Sequence, residues 1–419
     1  METKRKDIKY QLQHGYKLQT IMHYVNKETL IKQHEKQQTG KACGIDGITK
    51  EEYDKNLESN INQLLTRMKN FSYRPRAVRK TYIPKSNGKL RGLGIPCYED
   101  KLVQGAMADV LNEIYENIFL KCSYGFRPGK NCHQAISQIN WLLMTKKINY
   151  ILDADIKSFF DNIDHEILMM FLEHEIEDKN FLRYVKRFLK AGVIEDYKYY
   201  DSDKGTPQGG LISPILANVY LHYVLDNWFY VVKKEFKGEV YLIRYADDFV
   251  VMFQYEDEAV KFYKMLIERM RKFKLELAED KTRILPFGRK KGTKEEFDFL
   301  SFTFSNGKTL TGKYRPNIRT SRKKLKQKFE VAKKWLHDNM HKPIVEVGQK
   351  LKKKVIGHYA YYGINGNYKS IIKFYNYIKD TWYRVLRKRG QKNKIKYPDY
   401  LRIWNYLEIP VPKVYVNIW

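Results

Sequence analysis

The feature that most constrains this chain is the segment Tyr245-Ala246-Asp247-Asp248, which lies between two runs of strand-forming residues, 240–244 and 249–253. The pattern predicts a β-hairpin with two adjacent carboxylates at its tip. Because neighbouring like charges repel each other, the turn is costly unless a strongly positive group binds there. The alternative interpretation is a polar turn without a ligand.

A third carboxylate follows another apolar run upstream. Asp155 comes shortly after the apolar residues 150–152. Three carboxylates at two strand ends predict a site for a divalent metal ion, and oxygen ligands of this kind suit Mg²⁺. Asp153 alternates with Asp155 along one strand face, so spacing alone leaves both open as the ligand. Asp161 and Asp164 are expected to cap the helices that follow.

The charge of the chain points to a polyanionic partner. Lys and Arg number 78 against 48 Asp and Glu, a formal net charge of +30. The excess is concentrated in residues 306–419, which carry 28 basic and 6 acidic side chains. Such a surface binds phosphate backbones by releasing counterions, so its affinity should fall steeply with salt. A solvated cationic tail is the alternative, but the aromatic residues interleaved with the basic ones favour a folded segment.

Length and patterning predict an α+β protein of two or three domains. A chain of 419 residues is too long for one compact core. We expect no membrane association and a cytoplasmic location, because no stretch approaches the roughly 18 apolar residues of a membrane span. The four cysteines show no CxxC pair and no zinc-finger spacing, so we expect reduced core thiols.

Several elements can be placed before any family is considered. Residues 78–84 and 91–96 are predicted to form a hairpin, since Asn87-Gly88 favours a tight turn between them. A helix is predicted from residue 213 to about 229. A short strand is predicted at 275–277, and the basic remainder from about residue 314 is predicted to be helical.

Seven short blocks follow one another along the chain. They are Gly44-Ile45-Asp46-Gly47, Ile83-Pro84-Lys85, RGLGIP at 91–96, SYGFRP at 123–128, Asp155-Ile156-Lys157, GTPQGG at 205–210, and the YADD segment at 245–248. This ordered set resembles the reverse transcriptases encoded by bacterial group II introns. Residues 352–375 also resemble the maturase segment that follows the polymerase in those proteins, so the resemblance runs from about residue 20 to the end.

The resemblance implies a right-hand polymerase of fingers and palm, followed by an α-helical thumb and maturase domain. Fingers and palm are expected over 1–305, the basic helical thumb and maturase (X) domain over 306–390, and a short extension over 391–419. Many relatives carry an endonuclease with paired cysteines and histidines. No such pattern follows Asn393, so an endonuclease-lacking member that does not cleave the second strand of a target is expected.

The expected reaction is RNA-directed DNA synthesis, in which the 3′-hydroxyl of a DNA or RNA primer attacks a deoxynucleoside triphosphate. Two Mg²⁺ ions, with Mn²⁺ as a substitute, would lower the pKa of the hydroxyl and neutralise the developing charges. The resemblance selects Asp155 over Asp153. Asp155, Asp247 and Asp248 are therefore the expected catalytic residues and metal ligands, together with the backbone carbonyl of Ile156.

Positive groups near the fingers hairpin are expected to bind the nucleotide. Lys85 and Arg91 match residues that contact the β- and γ-phosphates in related polymerases. Their alternative interpretation is as exposed hairpin charges. Gln208 and the backbone of Gly209 are expected to contact the incoming nucleotide, because glycine permits close backbone approach.

An aromatic residue near Asp155 is expected to select the sugar. A ring at Phe159 or Phe160 would clash with a ribose 2′-hydroxyl, although either residue could equally belong to the core. The resemblance alone selects Phe160 as this gate.

Further residues are expected to contact RNA or to approach the palm. Arg127 is a candidate template contact, and Lys281 is expected near the palm. Basic residues on one thumb helix face would grip the template–primer duplex, and a second cluster mixes cations with aromatic rings, which suits structured RNA. The alternative for Tyr359 and Tyr362 in that cluster is a helical core. The selected residues are Arg319, Arg322, Lys323, Lys326, Lys352, Lys353, Lys354 and His358.

Three functions follow from this interpretation. The first is a reverse transcriptase that also binds and helps splice its structured group II intron RNA, with target DNA as a further partner. The second is a freestanding, domesticated reverse transcriptase in phage defence or DNA repair. The third is an RNA-binding splicing factor with a decayed polymerase, which is disfavoured because the expected polymerase residues are all present. The sequence does not indicate an oligomeric state.

Overall fold

The structure is a computed structural model that describes residues 2–84, 90–196, 198–206, 209–389 and 394–419, without the side chains of residues 2–7, 84 and 91. The chain forms two compact units. The first unit comprises residues 1–131, 152–251 and 256–284, and the second comprises 132–151, 252–255 and 285–419. The domain limits expected at residues 305 and 390 stay predictions.

Helices and strands alternate through the described part of the chain. The strands are β1 (Val78–Pro84), β2 (Leu90–Ile95), β3 (Tyr150–Asp155), β4 (Val193–Glu195), β5 (Lys198–Tyr200), β6 (Val240–Tyr245), β7 (Asp248–Phe253), β8 (Arg283–Pro286), β9 (Glu296–Phe299), β10 (Phe302–Ser305) and β11 (Asn317–Thr320). The helices are α1 (Glu2–Gln13), α2 (Lys27–Lys36), α3 (Lys50–Asp54), α4 (Leu57–Lys69), α5 (Tyr98–Tyr115), α6 (Cys132–Thr145), α7 (Phe159–Asn162), α8 (His165–Glu175), α9 (Lys179–Leu189), α10 (Ser213–Leu221), α11 (Asn227–Val232), α12 (Glu256–Lys272), α13 (Arg322–Asp338), α14 (Ile344–Tyr362), α15 (Tyr368–Arg387) and α16 (Tyr397–Tyr406). Mixed helices and sheets of this kind confirm the predicted α+β class.

The first sheet contains the predicted fingers hairpin. Its order is β2-β1-β4-β5, and β1 pairs antiparallel with β2 so that Tyr82 lies opposite Gly92. The strands at 78–84 and about 91–96 are therefore confirmed. Residues 85–89 of the connection lie outside the described part of the chain.

The sheet that carries the YADD hairpin has the order β6-β7-β3-β8. All five residues from Phe249 to Phe253 in β7 are fully buried, so both faces of this strand are covered. An apolar run of this length is typical of a strand packed on both sides. The sheet is thus a rigid support for the turn at Asp247.

Two predicted elements differ from the observed ones. Residues 275–277 do not form a strand; Leu277 makes only an isolated antiparallel bridge to Ile156. The predicted helix at 213–229 is α10 and α11 joined by a π-helical turn, His222–Asp226. A π turn adds one residue to the helical repeat, and a search for a 3.6-residue period does not detect it.

In the second unit, the three-stranded sheet β11-β10-β9 is followed by the helices α13–α16. Trp382 and Tyr400 are almost fully buried and stack edge to face between α15 and α16. The basic region therefore has an aromatic core, as expected for a folded segment. Across the described residues, no helix is both long enough and apolar enough to cross a bilayer.

Candidate active site

Two strand ends bring the predicted carboxylates to the same edge of the sheet. The strands β3 and β7 are hydrogen-bonded neighbours. The backbone N–H of Asn149, just before β3, donates to the carbonyl of Phe253 at the end of β7 (2.9 Å), so the two strands run antiparallel. The last residue of β3, Asp155, consequently lies beside the beginning of β7, where Asp247 and Asp248 are found.

A cavity of about 1230 Å³ opens at this edge. Its lining includes Asp155, Ile156, Phe160, Gly209 and Asp247, all predicted site residues. Six acidic and three basic side chains line it in total, although the chain as a whole is strongly basic. An acidic cavity in a cationic protein is suited to a bound cation.

Asp248 differs from the other two predicted carboxylates. It is half-buried as the first residue of β7, and it is not among the residues that line the cavity. Asp247 belongs to the turn between β6 and β7, whereas Asp248 is already part of β7. The structure thus brings Asp155 and Asp247 to one cavity, whose lining does not include Asp248.

A lysine ammonium already interacts with these carboxylates. Lys281 Nζ lies 2.6 Å from Asp155 Oδ2. The hydrogen bond to Asp155 is the main cause of a raised Lys281 pKa, and the charge of Asp247 adds to it. Lys281 therefore shows that this position attracts positive charge, which is the property required of a metal site.

The described residues do not form a complete set of metal ligands. Within the described ranges, no group of three or more His, Cys, Asp or Glu side chains is arranged to hold a metal ion. The oxygen donors of Asp155 and Asp247 fit a hard divalent cation that keeps water or phosphate oxygens for its other ligands. The residues present fit Mg²⁺ in this sense.

The other acidic residues near β3 have structural partners. Asp153 lies 3.9 Å from Arg283 and is not in the cavity lining, which favours Asp155 as the ligand. Asp164 caps α8 by accepting from the Ile167 N–H (3.0 Å), as predicted. Asp161 lies inside α7 and does not cap it, because Ser158 occupies the N-cap position.

The structure distinguishes the two phenylalanines that the sequence left open. Both rings are in the lining of the cavity, but Phe159 is only 2% exposed and belongs to the core. Phe160 is half-buried and lines the cavity, 6.5 Å from the ring of Phe126 in an edge-to-face arrangement. Phe126, whose ring is 49% exposed, also lines the cavity; the sequence analysis named it only as part of the SYGFRP block and gave it no role.

Gly209 is the predicted nucleotide contact of the GTPQGG loop that the structure describes. Gly209 has a φ of +124°, and a Cβ there would lie 2.4 Å from the carbonyl oxygen of Gly94 in β2. Only glycine fits this approach between the GTPQGG loop and the fingers hairpin. Lys85 and Gln208 fall outside the described residues, as does the side chain of Arg91.

Arg127 has a structural role, which corrects its prediction as a template contact. Its side chain is 5% exposed and forms a bidentate ion pair with Glu116, at 2.8 and 2.9 Å. It also donates to the carbonyls of Leu120 and Ser123, both at 2.9 Å. Because its hydrogen-bonding groups are engaged within the fold, it is not available to nucleic acid.

His358 is likewise a core residue. It is 6% exposed, and its ring stacks on Phe374 with centroids 3.7 Å apart. Burial lowers the pKa of His358 to about 3, so the ring is neutral at physiological pH. Tyr359 and Tyr362 are also buried, in line with the alternative interpretation of this cluster.

The predicted cations of the second unit differ in their partners and in their exposure. Arg319 is not on a helix; it lies in β11, half-buried and ion-paired with Glu296. Lys352 is 3.1 Å from Glu408, and Lys354 lies over the Trp335 ring. The exposed members are Arg322, Lys323 and Lys326 on α13, and Lys353 and Lys354 on α14.

The comparisons with known proteins agree with the geometry. The family model "Reverse transcriptase (RNA-dependent DNA polymerase)" matches residues 83–304. The group II intron-encoded protein LtrA of Lactococcus lactis is 37% identical over 225 residues, 54% of this chain and 36% of LtrA. Protein YkfC of Escherichia coli is 33% identical over 279 residues, 58% of this chain and 71% of YkfC.

Telomerase from Candida albicans, solved with a fragment of telomeric RNA, aligns over 81% of this chain and 65% of that chain, with 14% identity and a TM-score of 0.47. That similarity is below the level at which a shared fold is inferred. The chain spans about a third of the length of LtrA, so only the matched region is compared there. The family match covers more than half of the chain, and the chain belongs to the reverse transcriptase family, among the group II intron reverse transcriptases and maturases.

Proposed function

We propose that this protein is an RNA-directed DNA polymerase that extends a DNA or RNA primer on an RNA template with deoxynucleoside triphosphates. The observation that carries the proposal is the acidic cavity at the ends of β3 and β7, where Asp155 and Asp247 meet in a chain of net charge +30. Reverse transcriptases generally use divalent metal ions. We infer two Mg²⁺ ions here, with Mn²⁺ as a substitute.

Asp155 and Asp247 would hold the metal, with Asp248 and the Ile156 carbonyl as further proposed ligands. When bound, the metal would activate the primer hydroxyl and stabilise the charge that develops on the phosphate oxygens. Lys281 carries its positive charge at the same wall of the cavity, next to Asp155. Its ammonium would therefore be close to the phosphates of a nucleotide in this cavity.

Other residues of the cavity would position the nucleotide. The Phe160 ring would exclude a ribose 2′-hydroxyl, and the backbone at Gly209 would approach the nucleotide closely. Lys85, Arg91 and Gln208 remain proposed triphosphate and nucleotide contacts on the basis of the sequence.

We further propose that the basic second unit binds template–primer duplex and structured intron RNA. Arg322, Lys323 and Lys326 on α13 are exposed, and α13 packs against α15 along its length. Exposed cations on a helix held by an aromatic core can track phosphates without rearranging. Splicing of the parent intron and binding of target DNA are proposed because relatives of this chain are encoded in introns. A cytoplasmic site of action is proposed on the basis of the sequence.

Primer extension tests the polymerase directly. The protein should extend oligo(dT) on poly(rA) with dTTP, in a reaction that stops when divalent metal is chelated. Asp247→Asn should remove synthesis and leave RNA binding nearly unchanged, since an amide lacks the charge that holds the metal. Asp257→Asn, at an exposed acid of α12 outside the cavity, is the matched control. Full synthesis by Asp247→Asn would overturn the metal assignment.

Splicing is tested separately with a group II intron precursor RNA. The protein should increase the spliced fraction at low Mg²⁺ concentration, and Asp247→Asn should do so equally well, because splicing assistance requires RNA binding and not DNA synthesis. If the protein extends primers but does not promote splicing, its function is reverse transcription without splicing assistance.

A further inference from the structure

A buried arginine lies directly behind the catalytic turn. Arg244, the residue before Tyr245, is 0% exposed and pairs with Asp226, which is also 0% exposed. The two groups form a bidentate ion pair, with Arg244 Nε donating to Asp226 Oδ1 (2.8 Å) and Nη2 to Oδ2 (2.5 Å). Asp226 is the last residue of the π-helical turn between α10 and α11.

The remaining donor of Arg244 reaches the turn itself. Arg244 Nη1 donates to the carbonyl of Ala246 (3.0 Å) and to Asn218 Oδ1 (2.9 Å). Asn218 lies in α10 and donates in turn to the carbonyl of Gly125 (2.7 Å). One guanidinium therefore links an acid, an amide and the backbone of the residue that precedes Asp247.

The turn requires such support because its backbone is strained. Ala246 has a φ of +57°, a left-handed conformation that is unfavourable for a residue with a Cβ. The SYGFRP segment packs against it from the other side, since a Cβ at Gly125 would lie 2.2 Å from the Ala246 nitrogen. That segment is also tied to β6, because the Tyr124 N–H donates to the Arg244 carbonyl (2.9 Å).

Stability alone does not explain a charged network at this depth. A buried ion pair gains little over apolar residues of similar volume, because both charges must be desolvated. The planar guanidinium of Arg244 does, however, fix the direction of several hydrogen-bond acceptors at once. An apolar core could fill this space but could not hold the Ala246 carbonyl in place.

We propose that Arg244, Asp226 and Asn218 form a positioning clamp that sets the backbone of the Ala246-Asp247-Asp248 turn so that Asp247 is presented to the metal. The inference rests on the proposed function. These three are positioning residues, because they act through the turn and do not line the cavity.

The test uses the full chain and two variants. Arg244→Lys keeps the charge opposite Asp226, but one ammonium cannot hold all of the acceptors. Asn218→Ala leaves the ion pair with Asp226 intact, but it removes both the Oδ1 acceptor of Arg244 Nη1 and the amide donor to the Gly125 carbonyl. Arg187→Lys is the matched control, because Arg187 is a half-buried arginine of the same unit that donates to the carbonyls of Phe71 and Tyr73, away from the turn.

Two readouts separate positioning from folding. The first readout is the affinity for Mn²⁺ alone, measured from the decrease in the electron paramagnetic resonance signal of the free ion. This affinity should fall about 10- to 100-fold in both variants, and binding should vanish in Asp247→Asn. The turnover number in primer extension should fall by a similar factor, while the KM for dTTP and the affinity for primer–template stay within about twofold of wild type. Near-ultraviolet circular dichroism should remain native, and Arg187→Lys should behave as wild type.

The results distinguish this proposal from the proposed function. Wild-type Mn²⁺ affinity and turnover in both variants, or equal losses in Arg187→Lys, would overturn the clamp. If Arg244→Lys does not fold, the Mn²⁺ affinity and turnover number of Asn218→Ala alone test the clamp. A wild type that binds Mn²⁺ through Asp247 but extends no primer would remove the polymerase function, and weakened Mn²⁺ binding in the variants would still support the clamp. A wild type that binds no Mn²⁺ would overturn both.

Discussion

At the residue scale, the adjacent rings of Phe159 and Phe160 have different expected roles. Phe160→Ala should increase ribonucleotide incorporation, because the cavity would lose the ring that crowds a 2′-hydroxyl. Phe159→Ala should instead destabilise the protein by about 3–5 kcal/mol through a core cavity, and leave the discrimination ratio unchanged in the folded fraction. The measurement is the ratio of kcat/KM for dTTP and UTP on the same primer–template. An unchanged ratio in Phe160→Ala would remove this residue as the gate.

Arg127 leads to a prediction about stability. Arg127→Ala should lower the free energy of unfolding by about 3–5 kcal/mol, because the mutation leaves Glu116 without its buried partner. Arg402→Ala, at an arginine whose side chain is 84% exposed, should change it by less than about 0.5 kcal/mol. Urea unfolding measures both values. A stable Arg127→Ala protein with weakened template affinity would restore the original prediction of a template contact.

Local sequence patterns were sufficient to predict some residues of the site but not others. The carboxylates of the YADD turn could be found because the flanking strands are marked by their apolar runs. Arg244 lies in one of these runs, where a lone charge signals a buried acidic partner. That partner, Asp226, is supplied by a π turn 18 residues upstream, and helical periodicity does not show which side chain a π turn directs inward.

At the element scale, α14 has one apolar face and one basic face. Val347, Leu351, Val355 and Tyr359 are buried, whereas Lys353 and Lys354 are exposed. The sequence analysis assigned Lys352, Lys353, Lys354 and His358 to RNA, because composition does not reveal which side of a helix packs inward. The helical period places His358 with the buried residues, since it lies three positions after Val355 and seven after Leu351.

This division predicts the effect of charge reversal. Lys353→Glu combined with Lys354→Glu should weaken RNA binding and reduce the slope of log K against log salt concentration by about 2, one for each lost phosphate contact. Lys264→Glu with Lys272→Glu, two exposed lysines of α12, is the matched control for net charge. Filter binding at several salt concentrations gives the slope. An unaltered slope would show that the α14 lysines are solvated and do not contact RNA phosphates.

At the scale of the whole molecule, the two units should respond differently to acid. Burial lowers the pKa of His358 in the second unit to about 3 and that of His222 in the first unit to about 4. Burial raises the pKa of Asp100, also in the first unit, to about 6. The unfolded chain protonates its histidines near pH 6.5, so both lowered values favour unfolding as the pH falls below 6.5. Asp100 has the opposite effect below about pH 6, because the folded state then binds the extra proton.

In the first unit, the effect of Asp100 therefore opposes that of His222 over this pH range, whereas His358 lies in the second unit. As the pH falls from 6.5 to 5, His358 should reduce the free energy of unfolding of the second unit, with a slope that rises towards about 1.4 kcal/mol per pH unit. Hydrogen exchange, corrected for its intrinsic pH dependence, should show α14 and α15 losing protection over this range before the sheet of β3 and β7 does.

His358→Phe should remove much of this sensitivity. Neither ring nitrogen of His358 has a hydrogen-bond partner among the described residues, and the ring stacks on Phe374, so phenylalanine preserves the packing without a titrating group. His23→Phe, at an exposed histidine of the first unit, should leave the profile as in wild type. If α14 in His358→Phe loses protection between pH 6.5 and 5 as it does in wild type, the acid response does not come from this histidine. Reduced acid sensitivity in the variant would instead show that the aromatic core beneath the basic surface depends on an uncharged ring at this position.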